Sequence, residues 1–146
     1  MPWFEGTHTE SRVLPTSIDA AVAHFASPEA LIAAAKDVES SAITDDVIHF
    51  VLKEEDHGVV KFKADYKCRY VRDGNTVTWE TLDGNLNQSG KVSFTPEGDG
   101  CTMDYTETVK VDLGVPAMVA PMLKPVLGPM LAGEIKGFVD RMTKAL

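Results

Sequence analysis

The sequence predicts an α+β fold in which a curved antiparallel sheet is covered by a long C-terminal helix. Three observations carry that expectation. From Asp46 to Leu113 the apolar residues recur mainly with period two, in runs broken by short turn sequences. Connections that short join antiparallel neighbours, because a parallel crossover needs a dozen or more residues. The stretch from Val115 to Leu146 is then the only long apolar element left, and a sheet with one apolar face needs a cover.

Taken in order, residues 5 to 14 are rich in threonine, lack a helical pattern and read as a strand that Pro15 ends. Thr16 or Ser17 then caps a short helix through Phe25, with Asp19 in its first turn and Ile18, Val22 and Phe25 on one face. Ser27-Pro-Glu starts a second short helix over Ala30-Leu-Ile-Ala-Ala-Ala-Lys. Period two begins after Val38. Asp46 to Lys53 is a strand whose facing stays open, since both alternating sets are apolar-rich, and Glu54-Glu-Asp-His-Gly makes the turn. Val60, Phe62, Ala64, Tyr66, Cys68 and Tyr70 alternate with Lys61, Lys63, Asp65, Lys67 and Arg69, which predicts one half-buried strand. After Asp73-Gly-Asn, the strand from Thr76 to Leu82 puts Val77, Trp79 and Thr81 on one face. Asp83-Gly-Asn and Pro96-Glu-Gly-Asp-Gly bracket another strand near Gly90 to Thr95. Cys101 to Leu113 sets Met103, Tyr105, Glu107, Val109 and Val111 on a common face.

The C-terminal stretch divides at its prolines. Leu131, Ile135, Phe138, Met142 and Leu146 recur at helical spacing, so the firm helix is expected from Pro129. Val115 to Gly128 carries prolines at 116, 121 and 125, with Pro129 directly after it, and only Lys124 is charged. At roughly 3 kcal/mol per internal proline, a kinked or partly irregular lead-in is expected, acting as a mobile lid.

Bulk properties exclude several function classes. The 146 residues suffice for one domain, taken as 1–146. A net charge of −8 argues against a nucleic-acid partner and against attraction to anionic membranes. No apolar run is long enough for stable membrane insertion, and Met1-Pro-Trp-Phe-Glu-Gly lacks the features of a signal peptide. Cys68 and Cys101 form neither a metal spacing nor a disulfide framework, and both fall on inward faces. A reduced, cytoplasmic protein is expected.

The order of elements, together with Leu14-Pro-Thr-Ser-Ile-Asp-Ala-Ala-Val-Ala-His-Phe-Ala-Ser-Pro-Glu, resembles the START-related superfamily of polyketide cyclases and lipid-transfer proteins (SRPBCC). Gly90-Lys-Val-Ser-Phe-Thr-Pro-Glu-Gly-Asp-Gly-Cys-Thr-Met-Asp-Tyr resembles its turn into a long strand before the last helix. The resemblance spans essentially the whole chain. It implies a helix-grip fold, with an apolar cavity between the sheet and the C-terminal helix. The superfamily has no universal catalytic residues, so it assigns none.

The expected ligand-binding pocket is lined by Phe62, Tyr66, Trp79, Phe94, Met103 and Tyr105, and roofed by Met118, Met122, Met130 and Phe138. Methionines and aromatics adapt to varied ligands; the alternative is that they pack together and fill the space. Glu107 is the residue the alternation places wrongly. Counting by two turns its carboxylate inward, where a raised pKa suits it to hold a polar head or act as acid or base, unless a bulge turns it outward. It is the one catalytic candidate. His8, His24, His49 and His57 lie on different elements without ligand spacing, so no metal is expected. No cofactor is expected either, since no Gly-rich phosphate loop or nucleophile elbow is present. Lys61, Lys63, Lys67 and Arg69 form a basic row that Glu80, Asp104 and Asp112 can answer.

The sequence therefore reads as a binder of a small hydrophobic molecule such as a lipid, isoprenoid, quinone or polyketide-like compound. The alternatives are a polyketide cyclase or dehydratase-like enzyme, and a non-catalytic module with a protein partner. An enzyme needs polar groups converging on the cavity; a module needs a filled core and an exposed apolar patch.

Overall fold

The computed structural model describes residues 3–56 and 61–146. Chain order is β1 (Trp3–Leu14), α1 (Ile18–Phe25), α2 (Pro28–Ala34), β2 (Val38–Thr44), β3 (Val47–Leu52) and β4 (Glu55–Asp56), then β5 (Lys61–Phe62), β6 (Asp65–Asp73), β7 (Thr76–Gly84), β8 (Leu86–Glu97), β9 (Gly100–Asp112) and α3 (Ala120–Lys144). Among the described residues, seven strands make one antiparallel sheet in the order β1-β9-β8-β7-β6-β3-β2, while β4 and β5 pair separately. This is the helix-grip arrangement, a large antiparallel sheet with α3 across its inner face.

Both short helices start where their caps predict. Ser17 and Ser27 accept hydrogen bonds from the backbone N–H of Ala20 and Ala30, and Pro28 occupies the first turn of α2. The facing of β3 is decided by Ile48 and Phe50, which are buried, whereas β2 is exposed along almost its whole length. The predicted strand from Val60 to Tyr70 is divided in two, at Phe62 and Asp65. His57, Gly58 and Val60, used in the sequence reading, lie outside the described residues, as do Met1 and Pro2. The β6–β7 register slips beside Cys68: Lys67 opposes Asp83, but Cys68 opposes Thr81, leaving Leu82 as a bulge. A bulge bends its strand and deepens the sheet's curl. Gly84, with φ +129°, permits the next close approach, since a Cβ there would lie 2.3 Å from the Asp65 carbonyl oxygen.

The helix differs most from expectation. It runs unbroken from Ala120, with Pro125 and Pro129 inside it, rather than beginning at Pro129. Packing overrides the proline penalty: Ala120, Leu127 and Leu131 cluster with Phe4 and Val111, with Leu123 against them. Gly6 of β1 makes that seat possible, because a Cβ would lie 2.6 Å from the Gly128 carbonyl oxygen and 2.7 Å from the Ala132 nitrogen. The second half, through Ile135, Val139 and Met142, joins the main core with α1, α2 and the sheet. Among the described residues, the side-chain polar contacts of the helix fall in this half. Arg12 donates to Asp140 and Thr143 (both 2.8 Å), Arg141 donates to the Ala34 carbonyl (2.6 Å), and His24 Nε2 lies 2.9 Å from the Met142 carbonyl oxygen.

The basic row finds some of its expected neighbours. Arg69 lies opposite Glu80 and pairs with Asp46, and Lys63, between β5 and β6, pairs with Glu39, whereas Asp104 and Asp112 sit on β9, with β8 and β7 between them and β6. Among the described residues no helix is long and apolar enough to cross a membrane.

Candidate functional site

The main core and the smaller Phe4–Leu127 cluster do not meet everywhere. Between them lies a cavity of about 180 Å³, walled by residues of both: Phe25, Phe50 and Trp79 on one side, Val111, Leu127 and Leu131 on the other. Exposed residues among its walls, Lys36, Lys53, Glu55 and Glu134, mark the mouth between α2, the β3–β4 connection and α3.

Seven of the predicted residues reach this cavity: Phe62, Tyr66, Trp79, Tyr105, Glu107, Met130 and Phe138. Four do not. Phe94 and its cross-strand partner Met103 are fully buried, but Phe25 of α1 packs on Phe94 with ring centroids 5.4 Å apart, closing that end of the sheet. Met118 and Met122 are 84% and 76% exposed, and Val126 is 64% exposed. Because the helix is continuous, its phase sends Leu123, Leu127 and Leu131 inward and Met122 and Val126 outward, while Met118 lies in the turn before it. Of the expected roof, Met130 and Phe138 reach the cavity but Met118 and Met122 do not, and the lid idea loses its methionines.

Glu107 faces inward as its parity predicts, at 6% exposure. Trp79 Nε1 donates to Oε2 at 2.5 Å, and the Tyr105 hydroxyl donates to Oε1 at 3.2 Å. Trp79 and Glu107 lie on β7 and β9, with β8 between them; both oppose Gly90. Gly90 is what lets them meet. A Cβ there would lie 2.5 Å from Cζ2 and 2.7 Å from Cε2 of the indole, so the ring crosses β8 only over a residue without a side chain. Burial pushes the Glu107 carboxyl up to about 7, while the bonds from Trp79 and Tyr105 pull the other way. Burial also raises the hydroxyls of Tyr66, Tyr70 and Tyr105, with the nearby Glu107 adding to each, so all three stay protonated.

Besides the charged residues of the mouth, two polar residues of the wall were missed, Gln88 and Tyr70. Gln88 donates through Nε2 to the Tyr70 hydroxyl at 3.1 Å, and the Tyr70 ring stacks on Trp79 with centroids 5.9 Å apart. A signal existed for Gln88: it shares parity with Val92 and Phe94, a polar residue on an apolar face like Glu107. Cys68 and Cys101 are buried free thiols, and burial pushes Cys68 up to about 11. Among the described residues no group of three or more His, Cys, Asp or Glu is placed to hold a metal ion. Chemically, the site offers one ring-sized apolar space, a carboxyl that is partly ionised near neutrality and an aromatic wall.

No family model matches the chain, and no curated protein matches its sequence. Solved structures do match in fold. A conserved protein from Geobacillus kaustophilus is similar with a TM-score of 0.65 and 20% identity, over 97% of this chain and 94% of that one. A point mutant of norcoclaurine synthase from Thalictrum flavum, in complex with a transition-state analogue, is similar with a TM-score of 0.64 and 14% identity, over 99% and 96%. The di-domain ARO/CYC StfQ of the steffimycin biosynthetic pathway is similar with a TM-score of 0.63 and 11% identity, over 97% of this chain and 50% of that one. The likeness is one of fold, the helix-grip arrangement described above.

Proposed function

We propose that this chain is a single START-like unit that binds a small hydrophobic molecule in the cavity between its sheet and α3. The observation that carries the reading is the cavity itself, a space of about 180 Å³ with Phe50, Tyr66, Trp79 and Ile135 in its walls. An apolar cavity of roughly 150 Å³ accommodates benzene, so this one suits a single ring with a short substituent. Of the lipid, isoprenoid, quinone or polyketide-like classes, a ring or head group fits inside and any long chain leaves by the mouth. Two buried free thiols support a reducing, cytoplasmic setting.

Titration with monocyclic aromatics such as toluene and 2-phenylethanol tests the reading, using Trp79 emission in a Trp3→Phe background that removes the exposed second indole. Saturable binding with a changed Trp79 spectrum is expected. Lack of saturable binding by any monocyclic compound removes the reading.

One observation favours a second reading, an acid–base enzyme of the cyclase or dehydratase kind. The cavity carboxyl titrates at about 7, where acid and base forms coexist. In that case Glu107→Gln lowers turnover sharply and leaves affinity nearly intact.

A further inference from the structure

Among the described residues, Glu107 is a buried carboxyl without a counter-ion. Its partners among the described residues are the Trp79 N–H and the Tyr105 O–H, and no Lys, Arg or His contacts it. The surrounding elements leave it so. On β1, the cross-strand neighbour His8 has its Nε2 2.9 Å from Glu10, and Arg12 is taken up by Glu10, Asp140 and Thr143. From β6 the groups that feel its charge are Tyr66, Cys68 and Tyr70, all held protonated by burial. The helix offers Leu131, Ile135 and Phe138, with Glu134 at the mouth beside Lys36, Lys53 and Glu55.

A carboxylate accepts about four hydrogen bonds, and this one takes two, so each oxygen keeps capacity toward the cavity. Around it stand Tyr66, Tyr70, Trp79 and Tyr105, whose ring faces carry negative quadrupole charge. A carboxylate and aromatic rings in one wall attract a cation, and a chain of net charge −8 draws cations toward it. The donor the site lacks is thus one a ligand brings.

We infer that the cavity takes a monocyclic aralkylamine, with its ammonium on Glu107 and its ring against the aromatic wall. This inference rests on the ligand-binding reading and narrows its ligand class. The ammonium replaces its lost water with a charged acceptor and ring faces, which an alcohol of the same shape needs far less. Because Glu107 is only partly ionised at neutral pH, its ionisation on binding the amine releases protons.

Calorimetric titration of 2-phenylethylamine and its near-isostere 2-phenylethanol separates the possibilities. At pH 7.5 the amine should bind at least about tenfold more tightly than the alcohol, and that advantage should shrink as pH falls below 7. Binding enthalpies measured in buffers of different ionisation heat should show proton release by the unmodified protein, a readout that needs no variant. Glu107→Gln should erase the amine's advantage over the alcohol. Equal affinities in the unmodified protein, or an advantage that survives Glu107→Gln, overturn the amine assignment while ligand binding stands. Binding by neither compound overturns both.

Discussion

Replacing Glu107 by glutamine should make the protein more stable above pH 8 and leave it unchanged near pH 4. Each tenfold change in proton affinity corresponds to about 1.4 kcal/mol, so a rise from 4.5 to about 7 makes the ionised, folded form cost about 3 kcal/mol. Below pH 4.5 the carboxyl is protonated in folded and unfolded chains alike, and no penalty exists. Between 4.5 and 7 the unfolded chain gives up its proton first, so stability falls with rising pH. Above the folded value both forms are ionised and the whole amount has been lost. Glutamine keeps the Trp79 bond, because its carbonyl oxygen accepts from Nε1, and its amide donates to the Tyr105 hydroxyl. Asp140, held low first by Arg12 and then by Lys136, tilts the curve the opposite way in both proteins and cancels in the comparison. Urea unfolding at pH 4 and pH 8.5 measures the difference. With slopes of about 1–3 kcal/mol/M, the midpoint should move up by roughly 1–3 M at the higher pH alone. A difference between the two proteins that does not change with pH would show that burial does not hold the Glu107 proton.

Gly90→Ala should push the indole off its crossing point, since the new Cβ meets both the ring and the Thr106 carbonyl oxygen at 2.6 Å. A cost of about 1–3 kcal/mol and an altered Trp79 emission are expected; an unchanged spectrum refutes the crossing. Pro125→Ala replaces an exposed ring and restores an N–H facing the Pro121 carbonyl, so it should raise stability by roughly 1–3 kcal/mol in thermal melts. A lowered melting temperature would show that the helix depends on the proline geometry.

Where a single face is buried, alternation carried the strand reading. Tyr66 and Cys68, Val77 and Trp79, and Met103 through Glu107 all face as counted, because period two has one meaning on a half-covered sheet. The edge strand β2 had no such signal, since neither of its faces is covered and Val38-Glu-Ser-Ser-Ala-Ile-Thr has nothing to sort. The start of α3 was misplaced because local propensity speaks for a break at the prolines, while the tertiary contacts of Leu123, Leu127 and Leu131 speak for continuity. That error placed Met122 inside, where the continuous helix turns it outward. The inward turn of Glu107 was legible as parity. Its bond to Trp79 was not, because it depends on register: only the alignment of β7, β8 and β9 puts Gly90 beneath both.

The pairing of β1 with β9 has a consequence for synthesis on the ribosome. The first strand lies against the last, with Trp3 opposite Asp112 and Leu14 opposite Cys101. At roughly 5–20 residues per second, β1 waits several seconds with its backbone groups unmatched before its mate is made. The intervening strands form a local meander in that interval, yet its β8 edge also stays open until β9 arrives. When β9 slots between them it closes two edges at once. Such distant pairing slows folding and leaves the nascent chain reliant on whatever shields unpaired strands during translation.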